Sequence, residues 1–385
     1  MRWPWQNANL KSSSALVALS RLPNARWGSG DTGSLFRDGF LGNPVVYRCV
    51  RMIAEAAGSI PLQSSGSDVA ELLRDPAPEE AGRAFLERLY CDLMMTGNAF
   101  AEAVSLDGET APRALFALPA GGVRPSKDVK GHIQGYTLRL KHGERQIRRA
   151  SDGWMPVLHL KLYNPADPHI GVSPLMAARK ALDLHNGAAD WAKSLIDNAA
   201  RPSGALIYGK DGSRLSDEQF DRLKSELAQD HMGALNAGRP LLLEGGLDWK
   251  PMSLSPADMD FLDTRNAAAR EIALAFGVPP MLLGIPGDNT YATYKEANTA
   301  FWRLTVLPLV TRTADTLSVW LGERFNDAEV TPNIDQVPAF AADREAYWNQ
   351  ISAADFLTDT EKREYLGLRP LAGSPSLTAV TGGAT

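Results

Sequence analysis

Between residues 173 and 325 the chain strings together a long capped helix, a small strand–helix–strand unit, a second long helix, a breaker-rich loop and a third long helix. That order leaves few folds open. Ser173 is the N-cap of the first helix, with Pro174 at its first position; Leu175, Ala178, Leu182, Trp191 and Leu195 follow, and the helix ends before Pro202. SGALIYG, SDEQFDRLKSELAQDHMG and RPLLLEGGLDWKPM then read as strand, helix and strand, with Ser216 as N-cap and Gly233 past the helix end. Ser255 and Pro256 open the second helix and Asp258 completes a capping box. Met259, Leu262, Ala269, Ala273 and Phe276 share one face until Gly277, Pro279 and Pro280 stop it. At 1.5 Å per residue each rod spans roughly 30 to 39 Å, enough to hold the small unit away from the rest of the chain. After MLLGIPGDNTYAT the third helix begins near Thr293, capped with Glu296, and Pro308 is expected to kink it.

The segment ahead of these rods has a different texture. The first forty or so residues mix Ser, Gly and Asn with Trp3, Trp5 and Trp27 and show no sustained periodicity, as in an arm that orders against a partner. From Asn43 a helix is expected, with Pro44 in its first turn and Val46, Val50, Ile53 and Ala57 on one face; a second runs from Glu79 to Thr96 and stops at Gly97. AFAEAV, ALFALP, GYTLRL and VLHLKLY alternate apolar and polar residues between turn clusters, which predicts an antiparallel sheet. Short helices are expected around Asp343–Phe356 and Thr360–Leu366, before a Gly-, Ser- and Thr-rich tail.

The composition narrows the function classes. With 44% apolar and 22% charged residues among 385, the chain is an ordinary folded protein of several compact regions. Forty basic against 45 acidic residues give a net charge of −5, so nothing global grips phosphates. Cys49 and Cys91 sit in apolar helical stretches and read as small core residues. No apolar run reaches the length of a membrane span and no leader pattern opens the chain, so neither insertion nor secretion is expected. GxxxxGK[ST], HExxH, GxSxG and paired CxxC are all absent. The six histidines are scattered, and His159, alternating with apolar residues, reads as a satisfied strand residue. Asp258, Asp260 and Asp263 do not converge on one helix face and suit the macrodipole instead of a metal. The Asp288 turn GDNT reads as turn chemistry, and the basic runs at Arg145–Arg149 and Lys127 as solvated surface. No catalytic residue, metal or cofactor is expected.

NPVVYRCVRMIAEAAGSIPL, TGNAFAE, GVSPLMAARKAL, MGALNAGRPLLLEGG, LDTRNAAAREIALAFGVPPMLLG and FWRLTVLPLV occur in that order, and the chain in this resembles the portal proteins of long-tailed phages and gene transfer agents over about residues 43 to 370. The resemblance implies an α+β portal fold with wing, helical stem, small clip and reduced crown. It maps an arm onto 1–42, wing onto 43–172, first stem helix onto 173–202, clip onto 203–254, second stem helix onto 255–278, tunnel loop onto 279–292, long wing helix and wing end onto 293–342, crown-like helices onto 343–370 and a disordered tail onto 371–385. It further implies a ring of identical subunits, usually a dodecamer, at one capsid vertex, through which double-stranded DNA enters and leaves. The partners implied are the major capsid protein, the terminase large subunit and a head–tail adaptor. In that reading Gly284, Gly287, Asp288, Asn289, Thr290 and Tyr291 form a small, polar channel loop that touches DNA without trapping it. Lys210, Asp211, Arg214, Asp217, Arg222 and Glu226 present the clip surface to motor and adaptor. Two other readings are a metal-dependent nuclease or hydrolase using Asp258, Asp260 and Asp288, and a general minor capsid scaffold.

Overall fold

The structure, a computed structural model, describes residues 32–106, 109–141, 143–197, 204–208, 216, 218, 221–222, 247–251, 261–287, 291–326, 328–366 and 368. Two compact units are distinguishable: one holds Thr32–Asn186 and Leu254–Thr385, and the other includes Gly187–Ser253.

The larger unit opens with the turn Thr32–Ser34 and a π-helical segment, Leu35–Leu41, leading into α1 (Pro44–Gly58). Asn43 caps α1 as the sequence predicts: its side-chain oxygen accepts from the N–H groups of Val45 and Val46 at 3.0 and 3.1 Å. After β1 (Leu62–Ser64) and α2 (Ser67–Arg74) comes α3 (Gly82–Thr96), closed by Gly97 at φ 77°. It starts three residues later than its apolar period suggests, because Glu79 and Glu80 belong to a turn bridged between Ala77 and Glu80.

The expected single sheet is two among the described residues. β2 (Asn98–Val104) pairs antiparallel with both β3 (Ala114–Leu118) and β7 (Val157–Lys161). β5 (Ile133–Leu140) pairs with β4 (Val123–Lys127) and β6 (Gly143–Arg148). β4 and β6 are mostly polar and carry little alternation, so only their pairing reveals them. Phe100, Leu118 and Val157 of the first sheet share a core with Val123, Tyr136, Leu138 and Ile147 of the second.

The first rod begins at Ser173, whose hydroxyl accepts from Leu175 N–H at 3.0 Å. It is interrupted at Ala178, between α4 (Pro174–Ala177) and α5 (Arg179–Asp197). In the smaller unit β8 (Gly204–Tyr208) pairs antiparallel with β9 (Leu247–Pro251). The helix expected between them lies largely outside the described residues, as does the Ser255–Asp258 capping box.

The second rod is described as α6 (Phe261–Ala275). The long helix that follows has three parts: α7 (Tyr291–Phe301), a π-helical stretch Trp302–Val306, and α8 (Leu307–Gly322). Pro308 explains the middle part. Its ring excludes the normal hydrogen bond to the preceding turn, and the wider π turn is closed instead by Leu307 N–H donating to the Trp302 carbonyl. β10 (Val330–Pro332) then pairs with β1, a contact across almost the whole unit. α9 (Ala341–Ser352) and α10 (Asp359–Tyr365) finish the described chain, α10 with a capping box between Thr358 and Glu361.

One core joins these pieces: Ile53 and Ala57 of α1, Phe85, Leu89 and Leu93 of α3, Leu175 and Leu182 of the first rod, Ile272 and Phe276 of α6, and Val310, Leu317 and Leu321 of α8. Each large side chain buried here contributes about 1.5–3 kcal/mol. Asn43 also binds the rod. Its amide donates to Asn186 Oδ1 at 2.7 Å and to His185 Nδ1 at 3.0 Å, while Asn186 donates to the Asp38 carbonyl at 2.7 Å.

Candidate functional site

The loop between α6 and α7 is built on a repeated local device. α6 ends at Gly277 in the left-handed conformation (φ 68°); Gly277 N–H donates to Leu274 O at 3.0 Å and Val278 N–H to Ala273 O at 2.9 Å. These two bonds make a Schellman closure, and the following Val278 is buried. Seven residues on the pattern recurs. The 3₁₀ turn Pro280–Leu283 ends at Gly284 (φ 72°), with Gly284 N–H donating to Met281 O at 3.2 Å, Ile285 N–H to Pro280 O at 3.3 Å, and Ile285 buried. Gly-Val-Pro and Gly-Ile-Pro thus perform the same reversal twice. The repeat is visible in the sequence at 277–279 and 284–286 and is the signal that composition alone overlooks.

Two side chains tie this root to the helices beside it. Thr305, in the π-helical stretch, donates its hydroxyl to the Gly277 carbonyl at 2.6 Å. Arg270 of α6 reaches forward to donate to the Pro286 carbonyl. Gly277 and Gly287 both sit where a β-carbon would collide with these clamps, at 2.8 Å from Thr305 Oγ1 and 2.6 Å from the Arg270 guanidinium. Gly284, by contrast, faces open space and is required for its backbone angle alone.

Of the expected channel residues, Gly284 and Gly287 are therefore part of a fixed base. Tyr291 is the first residue of α7, so the helix starts two residues before its capping pattern suggests. Asp288, Asn289 and Thr290 lie outside the described residues. Of the residues expected on a clip surface, Arg222 is described and exposed; Lys210, Asp211, Arg214, Asp217 and Glu226 lie outside the described residues. Arg270 and Thr305 are the positions that sequence reading missed, because each acts on a backbone carbonyl remote in the chain.

Among the described residues no group of three or more His, Cys, Asp or Glu side chains is placed to hold a metal ion. Asp258 and Asp260 lie outside the described residues, and Asp263 occupies the first turn of α6, where a carboxylate suits the helix dipole. No helix among the described residues is long and apolar enough to cross a membrane. His159 is held between Asn98 Oδ1 (3.0 Å from Nε2) and the Tyr136 hydroxyl (3.3 Å from Nδ1) and stacks on Phe100 at 4.3 Å. Burial pushes its pKa down to about 4. It is a satisfied neutral residue, as its strand position suggests.

The phage portal protein family profile matches residues 44–367. A protein of Rickettsia bellii (strain RML369-C) is 42% identical over 352 residues, covering 88% of this chain and 90% of its own length. The portal protein of Enterobacteria phage HK97 is 24% identical over 383 residues, covering 92% of this chain and 87% of its own. A chain from the neck of a native GTA particle, computed with C12 symmetry, is 48% identical with a TM-score of 0.70, over 90% of this chain and 95% of that one. A profile spanning nearly the whole described chain, joined to relatives of matching length and fold, means that this chain belongs to the phage portal protein family.

Proposed function

We propose that the chain is the portal subunit of a gene transfer agent or related particle. Twelve copies form a ring at one capsid vertex, and DNA passes through its axis during packaging and release. The likeness to a chain in a twelvefold neck, at 48% identity over 90% of this chain, carries the reading. In this reading α5 and α6 belong to the two stem rods and residues 203–254 to the clip, which receives the terminase motor and later the head–tail adaptor.

Three features support it. Residues Gly187–Ser253 fall outside the larger compact unit. Among the described residues β8 and β9 pair only with each other, and a two-stranded ribbon is marginal by itself; a neighbouring subunit can extend it by strand addition. A net charge of −5 suits a conduit that DNA slides through without releasing enough counterions to stick. The loop of residues 279–292, held at Pro286 by Arg270 and rooted after Gly277, which Thr305 holds, is the constriction, and no catalytic step is involved.

Mass photometry and negative-stain imaging of the purified chain test this. Rings of twelve 41.7 kDa subunits with an axial opening are expected. Monomers or dimers in every condition, capsid partners included, would overturn it.

A further inference from the structure

The β4–β5–β6 sheet buries one face in the smaller core, and among the described residues nothing packs over the other. The register places Arg124, Ser126, Gly135, Thr137, Arg139, Glu144, Gln146 and Arg148 together on that outer face. Several of them are hydrogen-bonded to one another. The Ser126 and Thr137 hydroxyls lie 2.9 Å apart, and Gln146 donates to Thr137 Oγ1 at 2.8 Å, so the polar side chains are held in fixed positions. A bulge opposite Ser126 and Lys127 inserts Gln134 as an extra residue, which turns its side chain to the same rim. Gly135 lies across from Arg148, and a β-carbon there would sit 2.3 Å from the Ile147 carbonyl. The position beside Arg148 is therefore empty of side chain. The result is an open basin of about 490 Å³, lined by Ser126, Gln134, Gly135, Gln146, Arg148 and Arg149.

The charges around it are uneven. Arg139 is met by Glu144 at 3.4 Å, Lys127 by Asp167 at 3.4 Å, and Asp128 is occupied by Gln134, His132 and backbone N–H groups. Arg149 is fixed over the strand end through the carbonyls of Gly153 (2.8 Å) and Ile133 (3.4 Å). Among the described residues Arg148 and Arg124 have no acidic partner, and both are exposed.

We propose that this outer sheet face docks an acidic segment of another protein, with its carboxylates taken by Arg148 and Arg124 above the Ser126–Thr137–Gln146 floor. Arginine's planar fork matches a carboxylate in two parallel hydrogen bonds, and the fixed hydroxyl and amide groups supply neutral donors beside it. Nucleic acid fits less well. A duplex-binding surface neutralises many phosphates, on the order of 6–10 in well-studied cases, and the two unpaired arginines here suit one or two carboxylates. The site stands whether or not the chain forms a ring.

Fluorescence anisotropy of a fluorescein-labelled hexaglutamate peptide against the full-length protein tests the proposal, with a labelled DNA duplex run at the same salt. Saturable peptide binding is expected. Arg148→Gln and Arg124→Gln should each weaken it about tenfold, and Ser126→Ala less. Arg83→Gln, on α3 and already paired with Glu87 at 2.8 Å, should leave it unchanged. Three results would each overturn the proposal: no saturable binding, equal losses from Arg83→Gln and Arg148→Gln, or tighter binding of the duplex than of the peptide.

Discussion

Trp154 and Trp320 are joined by one hydrogen bond and a ring stack: Trp154 Nε1 donates to the Trp320 carbonyl at 3.1 Å, and the rings lie 5.5 Å apart at 17°, while Trp320 Nε1 donates to the neighbouring Met155 carbonyl at 2.8 Å. Arg324 completes the arrangement, with its guanidinium 4.4 Å from the Trp154 ring centre and paired with Asp152. The segment before β7 is thereby fixed to the end of α8. Trp154→Phe keeps most of the stacked area but strands a buried carbonyl, at a cost of about 1–3 kcal/mol. Urea denaturation should show a lower midpoint with an unchanged slope. Trp320→Phe combined with Trp154→Phe should cost less than the two changes summed, because they share one contact.

The two loop glycines should separate under substitution. Gly284→Asn keeps a residue that tolerates the left-handed region and meets open space, so thermal unfolding should move little. Gly277→Asn brings a β-carbon against the Thr305 hydroxyl and should cost about 1–3 kcal/mol. Equal effects at the two positions would mean that the Thr305 clamp does not hold.

Arg270→Gln and Thr305→Val release the loop root from its two anchors without touching the buried core. Ring assembly should survive, while the DNA content of particles falls. Deleting residues 288–290 should give the same pair of results. Rings that fail to form would place these residues in a subunit interface instead.

Acid should weaken the fold in a way that can be assigned to His159. Its pKa is depressed to about 4 by burial, so the native state keeps it neutral while the unfolded chain protonates near the usual 6.5. The stability it contributes is complete above about 6.5 and is lost as the pH falls towards 4, by about 3 kcal/mol at most. His185, also lowered by burial and by Arg265, acts in the same sense. Asp92 acts oppositely: burial raises its carboxyl to about 6, so protonating it between about 6 and 4 favours the native state. The difference between wild type and His159→Gln therefore isolates the histidine. That difference should shrink from pH 7 to pH 4 in denaturation experiments.

Much of this structure is written in short-range signals. Asn43 with Pro44, Ser173 with Pro174, and Gly97 after α3 each carry their own geometry, so those helix ends are legible. Strands with one buried face, such as β2 and β7, announce themselves by alternation; β4 and β6, polar on most positions, do not. The π turn before Pro308 was legible only as a kink, since a proline states which bond is missing and not how the chain replaces it. The loop root was half legible. Its glycines and prolines are plain, but Arg270 and Thr305 act on carbonyls 16 and 28 residues away, and nothing local marks them.

The antiparallel bond between Leu62–Ser64 and Val330–Pro332 sets an order on biosynthesis. A ribosome delivers the first strand long before its mate, so Leu62–Ser64 must wait, unpaired, while everything between them emerges. Its three-residue length keeps that waiting edge too short to recruit a neighbouring nascent chain. A chain stalled before residue 330 would lack this seam however well its early helices had formed.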